Sequence, residues 1–201
     1  HEHFGESVAG DGKDIEGDGH ADLAVGAPLR SSNGKLSNGA VEVFRGGSVF
    51  GSTRWATLAG EASNDWFGQS IALGDLDGDG KAELIVGAPY NDRGASAAGA
   101  VFVFRGDSIP PSTPWKVFVG EAANDQFGWS VAYLGDVNGD GYGDCAVGAR
   151  LHGTGLEGAA GKVYVLYGGA DMDTIADAQY VGEFKDDWFG NSVAGPGDVD
   201  G

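Results

Sequence analysis

The chain has 201 residues, of which 41% are hydrophobic and 10% aromatic, and its formal net charge is −18. This hydrophobic and aromatic content excludes a disordered acidic tail, and the strong negative charge excludes nucleic acid and anionic membrane surfaces as partners. No apolar run reaches the roughly 18 residues that a membrane-spanning helix needs, so membrane insertion is excluded as well. The 38 glycines follow no collagen-like period and predict many tight turns.

The chain is organised as a repeat that begins with Phe-Gly-x-Ser. Copies start at Phe4, Phe67, Phe127 and Phe189, about 60 residues apart. Each of the first three copies is followed by an acidic cluster, an apolar run, a Gly-led run and a Gly-Glu turn. In chain order, the apolar runs are DLAVGAP (22–28), ELIVGAP (83–89) and DCAVGAR (144–150), and the Gly-led runs are GAVEVFRGG (39–47), GAVFVFRGD (99–107) and GKVYVLYGG (161–169).

Each period predicts about four short β-strands joined by Gly-rich turns. The VEVF and VFVF segments of the Gly-led runs combine β-branched and aromatic residues, which favour strands, and no helical periodicity competes with them. Radial repetition of four-stranded antiparallel units is the plan of a β-propeller, so we predict an all-β fold with one blade per repeat. A β-solenoid is the alternative, although its repeats are usually shorter.

We predict one propeller segment over the whole chain, 1–201, with repeats at approximately 4–66, 67–126 and 127–188 and the start of a fourth at 189–201. Closed propellers typically need four to eight blades, and an open blade edge invites pairing with another chain. We therefore expect a fragment of a longer propeller, or chains that associate to complete one. The first residue, His1, is not Met, which agrees with a processed product or a fragment, and the lack of a visible signal peptide says nothing about secretion.

The acidic clusters share the pattern D-x-[DNE]-x-D-G-x-x-[DE], in DIEGDGHAD (14–22), DLDGDGKAE (75–83) and DVNGDGYGD (136–144). Oxygen-bearing side chains at positions 1, 3, 5 and 9, with Gly at position 6, are typical of a curled loop around Ca²⁺. Position 7 varies freely, as expected if it supplies only its backbone carbonyl. Mg²⁺ prefers fewer protein ligands, and Zn²⁺ would favour His or Cys. The loop is not an EF-hand, because its last acid comes at position 9 and a strand follows at once.

A solvated acidic turn is the alternative for any one of these clusters, because Asp and Gly are common turn residues. Three copies in register favour a cation instead. The first cluster is less regular, with Glu16 where a shorter side chain is usual. The fourth copy keeps Asp198 and Asp200 but lacks the later ligands.

The three elements in fixed order resemble the FG-GAP repeat, the family that forms the seven-bladed propeller of integrin α-subunits and that also occurs in bacterial and other surface proteins. The resemblance covers essentially the whole chain, with one departure at Arg150, where the third Gly-Ala-Pro loses its Pro. It implies two to three Ca²⁺ ions, one per hairpin loop, and an extracellular role in adhesion or partner binding. The implied ligands are Asp14, Glu16, Asp18, His20 (carbonyl) and Asp22; Asp75, Asp77, Asp79, Lys81 (carbonyl) and Glu83; and Asp136, Asn138, Asp140, Tyr142 (carbonyl) and Asp144.

The expected function is a secreted or cell-surface module that is stabilised by calcium and binds a protein or glycan ligand through variable loops such as 30–39 and 91–99. One alternative is a carbohydrate-binding propeller, in which the repeated tryptophans stack on sugars rather than fill the space between blades. A second alternative is a structural surface or filament component that assembles through open blade edges.

No catalytic site is expected. The four histidines follow no repeat and form no triad with a Ser. Two catalytic carboxylates of a glycosidase are also possible in principle, but acids that recur in every repeat fit metal ligands better. The recurrent Glu61, Glu121 and Glu183 are interpreted as turn or cap residues.

The RGDS at 105–108 occupies the strand end that FRGGS forms in the first repeat, so we interpret it as structural. The single cysteine, Cys145, is predicted to lie in the core.

Overall fold

The computed structural model describes residues 2–10, 12–48, 54–107, 112–153 and 158–195. None of these residues belongs to a helix that is long and apolar enough to cross a membrane. They form twelve β-strands. In chain order these are β1 (Val8–Ala9), β2 (Leu23–Ala27), β3 (Ala40–Phe44), β4 (Arg54–Ala59), β5 (Ser70–Gly74), β6 (Glu83–Ala88), β7 (Ala100–Phe104), β8 (Lys116–Val119), β9 (Phe127–Gly135), β10 (Asp144–Ala149), β11 (Lys162–Leu166) and β12 (Ala178–Val181).

The strands make three four-stranded sheets, in the orders β1-β2-β3-β4, β5-β6-β7-β8 and β9-β10-β11-β12. Every neighbouring pair is antiparallel, as a chain that returns through tight turns requires. The first strands of the three sheets, β1, β5 and β9, contact one another in that order. This arrangement confirms the predicted all-β fold of propeller blades, and each blade corresponds to one sequence repeat.

Alternating side chains of the second sheet are buried on its two faces. In β7, for example, Phe102 and Phe104 belong to the core between the first and second sheets, whereas Val101 and Val103 belong to the core between the second and third. The period of two places successive side chains on opposite faces. Cys145 is fully buried in the second of these cores, which confirms its predicted position.

The Phe-Gly-x-Ser motif joins each blade to the next. Its backbone bonds to the preceding blade, because the N–H of Phe67 donates to the carbonyl of Asn38 at 3.1 Å and that of Phe127 donates to the carbonyl of Ala98 at 2.9 Å. Its ring packs edge-to-face on the third strand of its own blade, Phe67 on Phe102 with ring centres 5.6 Å apart and Phe127 on Tyr164 at 5.0 Å. The serine hydroxyl of one motif donates a hydrogen bond to the glycine carbonyl of the following motif. These bonds are Ser7 to Gly68 (2.8 Å), Ser70 to Gly128 (2.9 Å) and Ser130 to Gly190 (2.8 Å).

The glycine of Gly-Ala-Pro allows this close approach of the blades. A Cβ atom on Gly87 would overlap the carbonyl oxygen of Gly128 and the hydroxyl of Ser70. A Cβ atom on Gly26 would likewise overlap Gly68 and Ser7, and one on Gly148 would overlap Gly190 and Ser130. The recurrence of this glycine therefore reflects packing between blades rather than a need for unusual backbone dihedral angles.

We expect Gly87→Ala to lower the free energy of unfolding by about 3 kcal/mol, because the added Cβ would force two backbone segments apart. Gly34→Ala is the matched control. Its Cβ would meet no atom within 4 Å, so only its left-handed φ of 76° opposes the change, at about 1 kcal/mol. Urea denaturation of both variants measures the difference, and equal losses would contradict the packing explanation.

Candidate metal centre

The three acidic loops connect the first and second strands of the blades, as predicted for hairpin loops. We name them loop 1 (14–22), loop 2 (75–83) and loop 3 (136–144). Neighbouring loops lie side by side, because the N–H of Ala82 donates to the carbonyl of Asp14 at 2.8 Å and the N–H of Gly143 donates to that of Asp75 at 3.1 Å. All three therefore lie at the same end of the sheets.

The last acid of each loop closes the hairpin. Glu83 is fully buried, and its carboxylate accepts hydrogen bonds from the N–H of Leu76 at 2.7 Å and the N–H of Gly106 at 3.2 Å. Gly106 follows the third strand of the same blade, so one side chain holds two segments. Asp22 holds Ile15 and Gly46 in the same way, and Asp144 holds Val137 and Gly168.

The first acid curls the loop. Asp75 accepts hydrogen bonds from the N–H of Gly78 at 2.7 Å and from that of Gly80 at 2.9 Å. Gly80 has a φ of 87°, a left-handed conformation that only glycine adopts without penalty. Asp14 accepts from Gly17 and Gly19, and Asp136 from Gly139 and Gly141. An ionised carboxylate can accept about four hydrogen bonds, so these oxygens retain lone pairs for a cation.

Three acids of loop 2 converge. Asp75, Asp77 and Glu83 each place a carboxylate oxygen within 4.8 Å of the other two. Oxygen ligands of one Ca²⁺ lie about 2.3–2.6 Å from the ion and hence at most about 5 Å from one another, so this spacing fits a single ion. Asp79 is exposed, accepts the N–H of Lys81 at 2.8 Å and lies outside the converging set.

Electrostatic repulsion accompanies this convergence. Burial, reinforced by the charges of Asp77 and Asp79, raises the pKa of Glu83 to about 7. Burial and the neighbouring charge of Asp79 also raise the pKa of Asp77. Both shifts mean that the ionised form is disfavoured at this place, and a bound cation would reverse that preference.

The other two loops do not bring three acidic oxygens this close together. In loop 1, Glu16 is buried and forms an ion pair with Arg45, while Asp18 accepts the N–H of His20 at 2.9 Å. In loop 3, the amide of Asn138 donates to Asp140 at 2.8 Å. The predicted ligands of these loops occupy equivalent positions on equivalent hairpins, but their acidic side chains are less convergent.

The variable residue at position 7 has a role that the sequence did not reveal. The side chain of Lys81 packs over Gly17 of loop 1, and that of Tyr142 packs over Gly78 of loop 2. Each therefore covers the preceding loop. A single repeat carries no signal for this contact, because it depends on the spacing between blades.

A second group that the sequence analysis missed is the arginine after the third strand. Arg105 makes an ion pair with Asp77, with Nε 2.9 Å from Oδ2, and its guanidinium lies 4.2 Å from the ring centre of Trp115. The carboxylate oxygen Oδ1 of Asp107 lies 3.7 Å from Nζ of Lys81 in loop 2. Arg105, Gly106 and Asp107 thus all contact loop 2, which supports the structural interpretation of the described part of RGDS. Ser108 lies outside the described residues.

The recurrent acids Glu61, Glu121 and Glu183 each lie in the bend that opens a turn, in line with the turn interpretation, and two of them also make ion pairs. Glu61 makes an ion pair with Arg93 of the next blade at 2.7 Å, and Glu121 makes one with Lys162 at 2.8 Å. The capping role belongs to aspartates a few residues later: Asp65, Asp125 and Asp187 accept the N–H of Ala62, Ala122 and Phe184 respectively.

Most of the tryptophans lie against another side chain. Arg150, which replaces the third proline of Gly-Ala-Pro, lies 3.1 Å from the ring centre of Trp129 and donates to Gln126 at 2.8 Å. Trp55 lies under Arg45, Trp115 under Arg105 and Trp66 against Tyr90. These contacts support the packing interpretation over sugar stacking.

Comparison with known proteins agrees with this architecture. The FG-GAP repeat family matches residues 4–44, 67–104 and 127–166. Similar curated proteins include integrin alpha-5 of Xenopus laevis (30% identical over 99% of this chain and 19% of that protein), integrin alpha-7 of Mus musculus (35%, 89% and 14%) and integrin alpha-PS2 of Drosophila melanogaster (34%, 77% and 11%). The chain thus spans at most 19% of the length of these three relatives.

We expect Glu83→Ala to lower the free energy of unfolding by about 2–4 kcal/mol even in the presence of a chelator, because the backbone N–H groups of Leu76 and Gly106 lose their acceptor. Asp79→Ala removes the same charge from the same loop but from an exposed side chain, and we expect a loss within about 1 kcal/mol. Chemical denaturation in EDTA compares the two. Similar losses would show that the buried carboxylate does not hold the hairpin.

Proposed function

Because this chain belongs to the FG-GAP repeat family, we propose that it is a non-catalytic β-propeller module, stabilised by calcium and located outside the cell or at its surface, that acts in adhesion or protein–protein interaction. The observation that carries the calcium part is the convergence of Asp75, Asp77 and Glu83 in loop 2. All-oxygen, anionic donor sets suit Ca²⁺, whereas Zn²⁺ would favour His or Cys ligands.

In this proposal each occupied hairpin loop holds one ion, giving two to three ions in all. Asp75, Asp77, Asp79, Glu83 and the carbonyl of Lys81 hold the ion of loop 2. The equivalent sets are Asp14, Glu16, Asp18, His20 (carbonyl) and Asp22 in loop 1, and Asp136, Asn138, Asp140, Tyr142 (carbonyl) and Asp144 in loop 3. The bound ion supplies positive charge that cancels the repulsion among carboxylates, and the residues hold the loop curled around it.

The proposed recognition surface is at the opposite end of the blades. Consecutive hairpins of an antiparallel sheet alternate between its two ends, so the connectors 30–39 and 91–99 lie away from the acidic loops. Both connectors are held in place: Asn38 donates to the carbonyl of Gly60 at 2.9 Å, and Asn91 donates to Asp65 at 3.0 Å. Ordered loops on a rigid scaffold are common sites of partner binding.

A second proposal concerns the outer face of the third sheet. Trp188 and Phe189 are 49% and 43% exposed there, whereas Phe67 and Phe127, which are equivalent to Phe189, are only 2% and 3% exposed. We propose that a further blade covers this face, supplied by the parent chain or by a second copy. Under this proposal 1–201 is one segment of a seven-bladed propeller, with repeats at 4–66, 67–126 and 127–188 and a fourth beginning at 189–201.

Millimolar Ca²⁺ is expected to raise the melting temperature of chelator-stripped protein. An ion that binds only the native state adds about 2.7 kcal/mol per site at 100 times its dissociation constant. Mg²⁺ should stabilise less, because it gives up its water ligands reluctantly. Differential scanning calorimetry measures the shift, and an unchanged melting temperature in Ca²⁺ would contradict the metal proposal.

Two variants control this measurement. Asp75→Asn removes one charge from loop 2 and should reduce the calcium-dependent shift. Glu183→Gln removes one charge from an exposed side chain outside the loops and should leave the shift unchanged. If both variants reduced the shift equally, general charge screening rather than ligation would explain it.

Self-association tests the blade-covering proposal. Sedimentation velocity of the chain alone should show concentration-dependent oligomers, because large aromatic side chains are exposed on one face. Replacing Trp188 and Phe189 together with Ser should abolish them. Leu36→Ser, which changes an apolar side chain that is 70% exposed on a connector of the first sheet, should not. Oligomers that persist in the Trp188 and Phe189 variant would place the contact elsewhere.

A further inference from the structure

The arginine beside loop 2 is held by three different segments. Its Nε lies 2.9 Å from Asp77, its guanidinium stacks 4.2 Å from the ring centre of Trp115, and its Nη2 donates to the carbonyl of Ala170 at 3.2 Å. The side chain of Asp77 is only 8% exposed. Arg105 is therefore fixed against a nearly buried carboxylate that belongs to the converging set.

Loop 1 has the same arrangement. Glu16 occupies the position of Asp77 and forms an ion pair with Arg45, whose guanidinium lies 4.6 Å from the ring centre of Trp55. The side chain of Glu16 is 5% exposed, as shielded as that of Asp77. Two blades thus share an acid at position 3 of the loop, an arginine after the third strand and a tryptophan that supports it.

The third blade changes all three residues together. Asn138 replaces the acid, Tyr167 replaces the arginine and Asp177 replaces the tryptophan, and Asp177 accepts the N–H of Tyr167 at 2.7 Å. Within one chain, the arginine is present where position 3 is charged and absent where it is neutral. This coupled change indicates that the arginine balances the negative charge at position 3 and is not there simply to fill space.

The physical consequence is a competition between two cations. A guanidinium against a nearly buried carboxylate stabilises its ionised form when no metal is present. The same positive charge repels a divalent cation that uses the other oxygen of that carboxylate. Even with the dielectric constant of water, this repulsion is worth about one order of magnitude in affinity.

We propose that Arg45 and Arg105 are internal counter-ions that hold loops 1 and 2 folded without a metal and lower the affinity of these loops for Ca²⁺. The residue after the third strand then sets the cation affinity of each blade separately. This inference rests on the proposed calcium binding of the loops.

An NMR titration with Ca²⁺ alone tests the inference site by site. The amides of Gly19, Gly80 and Gly141, at position 6 of the three loops, report each loop within one spectrum. Arg105→Gln should lower the midpoint at Gly80 about tenfold and leave the midpoints at Gly19 and Gly141 unchanged. Arg105→Lys keeps the positive charge and should leave the midpoint at Gly80 near that of the unaltered protein.

The outcomes separate this inference from the proposal on which it rests. If none of the three amides of the unaltered protein responds to Ca²⁺, the calcium proposal itself fails. If Gly80 responds but its midpoint is the same in Arg105→Gln, or shifts equally in Arg105→Lys, the arginine only packs on Trp115 and the counter-ion role is wrong.

A transplant into loop 3 gives an independent test. Asn138→Asp adds an acid that has no arginine beside it, and the midpoint at Gly141 should fall. Adding Tyr167→Arg to this variant should raise that midpoint again, while Gly19 and Gly80 serve as internal controls. A midpoint that stays low in the double variant would overturn the inference.

In EDTA, Arg105→Gln should also be less stable to urea than the unaltered protein, and saturating Ca²⁺ should remove most of the difference. Equal stability in EDTA would mean that the arginine does not hold the metal-free loop.

Discussion

The close approach of neighbouring blades is the constraint on which the other features depend. It requires a residue without a side chain at Gly87, where the backbone of Gly128 crosses, and the hydroxyl of Ser70 bonds to that crossing strand. The same spacing lets the N–H of Phe127 bond to the carbonyl of Ala98 in the preceding blade and the N–H of Ala82 reach loop 1. The acidic loops are therefore aligned by blade packing, and their geometry cannot be understood from one hairpin alone.

The repeat made much of this predictable from sequence. Strand number, hairpin connectivity and the positions of Asp75, Asp77 and Glu83 follow from local patterns that recur three times. The contact of Arg105 with Asp77, the packing of Lys81 over Gly17 and the ion pair of Glu61 do not. These depend on how far apart two strands or two blades lie, a distance that no local pattern specifies.

The buried carboxylate at the end of each loop joins the candidate metal centre to the rest of the blade. Glu83 holds the N–H of Gly106, which directly follows Arg105, and Arg105 reaches the carbonyl of Ala170 in the next blade. Leu76 of the same loop accepts the N–H of Gly169 at 2.7 Å. Loop 2 is therefore bonded directly to the junction between two blades.

The connectors proposed for recognition lie at the other end of the strands, so no side chain can belong to both sites. Between them stand strands such as β6, which begins at Glu83 and is buried along its whole length. A tightly packed strand has low compressibility and changes shape little. The metal would therefore act on partner binding through the stability of the blades, and the connectors alone would determine which partner binds.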